Sequence, residues 1–81
     1  MKKTYELYRL TWQYPNTQKY VYLGQAIRIR LKGMPYIYFH TLADKALLFS
    51  TKKAAKRNLE LLKKLGHTTA KIETITRKKR G

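Results

Sequence analysis

Between residues 19 and 40 the chain alternates between apolar and polar positions, as β-strands with two unlike faces do. Successive side chains of a strand point to opposite faces of a sheet, so one face can be buried while the other meets solvent. The odd positions are apolar: Val21, Leu23, Ile27, Ile29, Leu31, Ile37 and Phe39. The even positions carry rings and cations: Tyr20, Tyr22, Arg28, Arg30, Lys32, Tyr36, Tyr38 and His40. The pattern predicts an aliphatic face toward a core and a tyrosine- and cation-rich face toward solvent.

The flanking segments predict further strands. Residues 4–13 are rich in β-branched and aromatic side chains and indicate a first strand, followed by a turn at residues 14–18. The alternation keeps its phase across Gly24, which favours one long bent strand over residues 19–31 rather than a hairpin. A second turn leads into a strand at residues 36–40.

One helix follows, with apolar positions recurring at helical spacing from Ala54 to Leu65. Apolar residues 46–49 lead into it, either as a short strand or as a buried approach. Ser50 or Thr51 can cap the start of the helix, and Gly66 stands where a left-handed C-terminal cap is expected. A last strand is predicted over residues 67–76, followed by a disordered basic tail at residues 77–81.

The predicted order β-β-β-(β)-α-β is that of a small α+β fold, an antiparallel sheet of three to five strands packed on one α-helix. A chain of 81 residues is long enough for one small domain, which we assign to residues 1–76. A single helix can cover only one face of a sheet, so the tyrosine-bearing face is expected to be solvated.

Charge narrows the class of partner. The chain has 19 Lys and Arg against 4 Asp and Glu, a formal net charge of +15, and such an excess repels itself unless a polyanion binds. DNA or RNA is therefore the expected partner, with a host protein or nucleoprotein complex as the alternative. The oligomeric state is left open between monomer and homodimer.

Other features argue against catalysis, metal binding and membranes. There is no cysteine, and the four acidic residues are scattered without a paired-carboxylate, phosphate-loop or zinc motif. His40 and His67 have no second ligand at a useful spacing. We therefore expect a non-enzymatic, cytoplasmic protein without metal or cofactor, and we see no leader segment or membrane partner.

The predicted nucleic-acid surface combines three regions. On the sheet, cations would bind phosphates while rings stack on bases. At the helix start, Lys52 and Lys53 stand at the positive end of the macrodipole, where an anion such as phosphate is favoured. The basic tail adds electrostatic reach. The candidate residues are Tyr20, Tyr22, Arg28, Arg30, Lys32, Tyr36, Tyr38, Lys52, Lys53, Arg77, Lys78, Lys79 and Arg80.

Each region also has a purely structural interpretation. Cross-strand ring–cation pairs stabilise an open sheet, and charged strands resist edge-to-edge aggregation. The lysines at the helix start and in the tail can be solvated charges.

Residues 49–55 (Phe-Ser-Thr-Lys-Lys-Ala-Ala), which follow basic and aromatic strands, resemble the sheet-to-helix junction of small phage and mobile-element proteins. These include the arm-binding N-terminal domains of tyrosine-type integrases, in which a three-stranded sheet backed by a helix lies in the DNA major groove. The resemblance implies that Arg28, Arg30, Tyr36 and Tyr38 face DNA. The chain departs from that pattern because a further strand follows its helix. A phage-encoded inhibitor of a host protein or nucleoprotein, such as an anti-CRISPR-like protein, is the alternative function.

Overall fold

A computed structural model describes residues 3–29 and 36–78, and it confirms the predicted α+β class. One helix packs on an antiparallel sheet, and a separate two-stranded ribbon lies beside them. The elements are β1 (Thr4–Gln13), β2 (Tyr20–Leu23), β3 (Arg28–Ile29), β4 (Tyr36–Ile37), β5 (His40–Thr41), a 3₁₀ turn (Ala43–Lys45), α1 (Lys52–Lys64) and β6 (Lys71–Lys78). None of the described helices has the length and apolar character needed to cross a bilayer.

The main sheet has the strand order β5-β2-β1-β6, with every neighbouring pair antiparallel. Strand β1 is central. It pairs with β6 from Thr4 opposite Lys78 to Thr11 opposite Lys71, and its C-terminal end pairs with β2. Where β2 has left the sheet, Phe49 takes its place through two backbone hydrogen bonds with Tyr8, at 2.9 and 2.6 Å. Residues before the helix therefore extend the sheet as well as approaching the core.

The core lies between α1 and one face of this sheet. Leu10 and Trp12 of β1 and Leu23 of β2 are buried against Ala55 and Leu62 of the helix. Because side chains alternate along each strand, the residues between these positions point to the other side. We call that side the open face; its residues are Tyr5, Leu7, Arg9, Thr11, Gln13, Tyr20, Tyr22, Thr41, Lys71, Glu73, Ile75 and Arg77.

The helix begins and ends as its sequence predicts. The hydroxyl of Thr51 accepts a hydrogen bond from the backbone N–H of Ala54 at 3.2 Å, as an N-cap does. Gly66 follows the helix with φ of 102°, in the left-handed region. Within the helix, the side chain of buried Asn58 accepts from the N–H of Ile27 at 2.8 Å and ties the chain between β2 and β3 to α1.

The predicted long strand over residues 19–31 is wrong, because β2 ends at Leu23 and β3 belongs to the separate ribbon. The cause lies at Gly24, whose N–H donates to the carbonyl of Phe39 at 2.9 Å while the Phe39 ring covers it. A Cβ at Gly24 would lie 2.2 Å from Cε2 of that ring. The chain turns away at this point, and the odd–even alternation changes its phase.

The phase change also divides the predicted strand at residues 36–40 into β4 and β5. His40 lies opposite Leu23 and therefore shares the helix-side face, whereas Thr41 lies opposite Tyr22. Phe39, predicted to be in the core, is 50% exposed. At the other end of the chain, β6 continues through Lys78, so Arg77 and Lys78 belong to the sheet and not to a tail.

Candidate nucleic-acid interface

The centre of the open face is built from two ring–cation pairs. The guanidinium carbon of Arg9 lies 4.6 Å from the ring centroid of Tyr22, and Nζ of Lys71 lies 4.9 Å from that of Tyr20. Cations over aromatic faces at these distances are attracted by the ring quadrupole. Thr11, which lies among these side chains, is fully buried although it points away from the core. The two pairs therefore form a continuous layer.

Strand register brings these side chains together. Thr11 lies opposite Tyr22 on one side and Lys71 on the other, and Gln13 lies opposite Tyr20. Tyr22 thus meets Arg9, which lies diagonally from it on the neighbouring strand β1. Tyr20 meets Lys71, whose side chain reaches across β1 from β6. Sequence reasoning did not include Arg9 or Lys71 in the site. The alternation in β1 and β6 places both on the open face, but only the register shows which tyrosine each one meets.

The two cations of the layer differ in how firmly they are held. Nε of Arg9 donates to Glu73 Oε1 at 2.8 Å, and Nη1 donates to the carbonyl of Ala43 at 3.2 Å. This is the only ion pair among residues 3–29 and 36–78. Lys71 is exposed, and its described contact is the ring of Tyr20. The guanidinium is fixed by three groups, whereas the ammonium can swing away from its ring.

Beyond this layer the open face continues to the far end of β1. Half-buried Leu7 lies opposite half-buried Ile75, and Tyr5, which is 43% exposed, lies opposite exposed Arg77. From Gln13 to Tyr5 the strand rises about 26 Å, at roughly 3.3 Å per residue. The open face is thus a long strip with rings and cations at both ends and an apolar pair between them.

Tyr38 does not lie on the open face, so the predicted grouping with Tyr20 and Tyr22 is wrong. Its ring packs against the core and meets Trp12 edge-on at 6.3 Å between centroids. Its hydroxyl lies 2.7 Å from Nε2 of His67. The phase change after Gly24 turns this even-numbered position toward the helix side.

The ribbon separates two other candidates. Arg28 lies opposite Ile37 and Tyr36 lies opposite Ile29, so Arg28 and Tyr36 are on different faces of the ribbon. The prediction that they share one face is wrong, because this register pairs even positions with odd ones. Arg28 is exposed. The candidates Arg30 and Lys32 lie outside the described residues.

The remaining candidates are not joined to the tyrosines of β2. Lys52 and Lys53 are exposed at the start of α1, which covers the opposite side of the sheet. Arg77 belongs to the far end of the open face, while Lys78 alternates to the other side. Lys79 and Arg80 lie outside the described residues. The structure therefore divides the predicted surface among the sheet, the ribbon and the helix.

Sequence reasoning also treated the two histidines as isolated, whereas each of them packs against an aromatic ring. The ring of His67 lies 4.9 Å from that of Trp12, and the ring of His40 lies 5.5 Å from that of Tyr14. Burial lowers the pKa of His67, and the nearby charge of His40 lowers it further. No group of three metal-binding side chains occurs among the described residues.

No protein-family model, curated protein or solved structure gives a significant match to this chain. The functional interpretation therefore rests on the geometry of the described residues.

Proposed function

We propose that this chain is a non-enzymatic nucleic-acid-binding protein that uses the open face as its contact surface. One observation carries the proposal: Tyr20 and Tyr22 are paired with Lys71 and Arg9 on the side of the sheet that the helix leaves uncovered. The net charge of +15 supplies the general attraction to a polyanion, and the open face adds rings for bases.

The two ring–cation pairs have different roles in this proposal. Tyr20 is 48% exposed, and the flexible ammonium of Lys71 can move from its ring to a phosphate. That movement uncovers the ring for a base, and base–aromatic stacking is worth about 1–3 kcal/mol per base. Arg9 is fixed by Glu73 and Ala43, so its guanidinium stays on the ring of Tyr22. The nucleic acid would contact the side of the guanidinium plane that faces away from this ring.

The structural interpretation of the same pairs makes a different prediction. Cross-strand pairs of this kind stabilise a sheet by about 0.2–1 kcal/mol each. If stabilisation is their only role, removing a cation changes the free energy of unfolding, and the affinity for nucleic acid changes only as much as removal of any one charge would change it. Binding and unfolding measured on the same variants therefore separate the two interpretations.

The test is fluorescence anisotropy with labelled single- and double-stranded DNA and RNA at two salt concentrations. We expect the double variant Lys71→Gln with Arg77→Gln to bind more weakly and to flatten the plot of log K against log salt, by about one unit for each phosphate that is no longer bound. Lys56→Gln and Lys19→Gln remove the same charge from exposed positions outside the open face and form the matched control. An equal decrease in affinity in both double variants, with both folded, would reject the open face as the site.

The ribbon offers a second location for the same function. Two of the residues that the resemblance to integrase arm-binding domains turns toward DNA, Arg28 and Tyr36, belong to the ribbon. They lie on its different faces, and Arg28 is the exposed cation of the two. Arg28→Gln in the same assay decides between the locations. A larger decrease in affinity for Arg28→Gln than for Lys71→Gln would move the contact surface to the ribbon.

A further inference from the structure

A groove runs along α1, on the side of the molecule away from the open face. Two adjoining cavities form it, with volumes of about 650 and 520 Å³, and both are lined by Arg57 and Leu61. We call this surface the helix groove; the residues that matter here are Ile27, Phe49, Lys53, Ala54, Arg57 and Leu61.

The floor of the helix groove is apolar and preformed. Ile27, Ala54 and Leu61 are half-buried, and Phe49 is buried beneath them. Asn58 joins the two walls: it accepts from the N–H of Ile27 at 2.8 Å and donates to the carbonyl of Ala54 at 3.0 Å. Because these bonds already hold the walls together, a ligand would not have to order them on binding.

The rim of the helix groove is cationic. Lys53 and Arg57 line the first cavity, and Lys63 and Lys64 line the second, with Glu60 as the opposing acid. The ion pair found in the described part of the chain lies elsewhere, between Arg9 and Glu73, so Glu60 is not within ion-pair distance of any of these rim cations. An apolar floor with a positive rim requires a ligand that brings aliphatic side chains and negative charge together.

We propose that the helix groove docks an acidic segment of a partner protein that carries apolar side chains. A nucleic-acid strand satisfies the rim but has no aliphatic group for the floor, and the floor offers no exposed ring for stacking. The segments of this chain outside the described residues carry cations (Lys2, Arg30, Lys32, Lys79 and Arg80), so charge opposes their docking there. This inference is independent of the proposed function. Since α1 and the open face lie on opposite sides of the sheet, both surfaces can be occupied at once.

The first experiment uses two synthetic peptides of twelve residues and the ¹⁵N-labelled protein. One peptide alternates Asp and Glu with Leu and Phe, and the other has Ser in place of Leu and Phe. We expect the first to bind about ten-fold more tightly, because only it buries apolar surface. Its amide shifts should concentrate at Ile27, Ala54 and Leu61. Equal affinities, or shifts concentrated at Tyr20 and Tyr22, would overturn the proposal.

The second experiment locates the charge contribution. Arg57→Gln should weaken binding of the apolar acidic peptide by about three-fold or more, whereas Lys19→Gln, which removes one charge from an exposed turn, should change it less than two-fold. Both positions are exposed, and circular dichroism checks the fold of each variant. Competition with a single-stranded oligonucleotide completes the test. If the oligonucleotide displaces the peptide and shifts the groove amides, the helix groove is a nucleic-acid site and the proposal fails.

Discussion

Arg9 shows how much one side chain can organise on a small sheet. Its guanidinium lies on the ring of Tyr22, pairs with Glu73 and donates to the carbonyl of Ala43. The planar guanidinium can make all three interactions at once, because its face stacks on the ring while separate N–H groups on its edge donate. Arg9 thereby connects β1, β2, β6 and the 3₁₀ turn on the open face.

The pKa of His67 gives a prediction at the residue scale. Burial and the charge of His40 lower this pKa below the ordinary histidine value of 6.5, so the unfolded chain takes up the proton more readily than the folded protein. The contribution of His67 to stability is therefore fully present above about pH 6.5 and disappears as the pH falls from there toward the folded pKa. We expect His40→Gln to raise the pKa of His67, because it removes one of the two causes.

An NMR titration of the His67 ring proton Hε1 measures this change. Thermal unfolding at pH 7.5 and 5.5 gives an independent check, since the drop in Tm on acidification should be smaller in His67→Gln. An unchanged or lowered pKa of His67 in His40→Gln would contradict the electrostatic explanation.

At the site, the sequence predicts which residue types form the surface better than it predicts which of these side chains contact each other. Alternation correctly places Tyr20 and Tyr22 away from the core, because β2 is regular and its neighbours in sequence decide its faces. It fails for Tyr38, whose orientation depends on the phase change after Gly24. The partners Arg9 and Lys71 depend on pairing between strands that are far apart in sequence.

At the scale of elements, the packing of Phe39 over Gly24 decides where β2 ends. We predict that Gly24→Ala lowers the free energy of unfolding by about 1–3 kcal/mol, because the new methyl group would overlap the ring. Phe39→Ala in the same chain should recover part of that decrease. Urea denaturation of the two single variants and the double variant measures the coupling.

Gly66→Ala is the matched control for this cycle. Among the described residues, leaving aside the two next to Gly66 in the chain, no atom lies within 4 Å of a Cβ at Gly66, so we assign its cost to the positive φ. Phe39→Ala should not relieve it. Additive effects of Gly24→Ala and Phe39→Ala would show that overlap with the Phe39 ring is not the cause of the lower stability.

The helix was predicted closely and the strands between Gly24 and His40 were not, for a common reason. The cap at Thr51 and the turn at Gly66 are decided by residues a few positions away. The end of β2 and the start of β5 lie beside the contact between Gly24 and Phe39, which are distant along the chain. No local pattern distinguishes a glycine that bends a strand from one that ends it.

At the scale of the whole molecule, the net charge of +15 predicts that salt stabilises the free protein. The Debye length falls from about 30 Å at 0.01 M to about 10 Å at 0.1 M, so repulsion between distant cations is largely screened over that range. We expect Tm to rise by about 4 °C or more, the shift that roughly 1 kcal/mol gives in a domain of this size.

Differential scanning calorimetry across these salt concentrations measures the effect. The double variant Lys19→Gln with Lys56→Gln should have a higher Tm at 0.01 M salt and a weaker salt dependence than the wild type. A Tm that is flat or falls with salt would mean that self-repulsion does not limit the stability of this fold.

The pairing of β1 with β6 has a consequence for how the molecule folds. The central strand of the sheet receives one neighbour from the segment next to it and the other from the far end of the chain, as Tyr5 opposite Arg77 shows. Pairs of such sequence separation require a large loop to close before they contribute, so we expect folding in milliseconds to seconds rather than microseconds. During synthesis, one edge of β1 stays without its partner until β6 has left the ribosome. In that interval the unpaired edge of β1 is exposed, and a polyanion or a chaperone can bind the nascent chain.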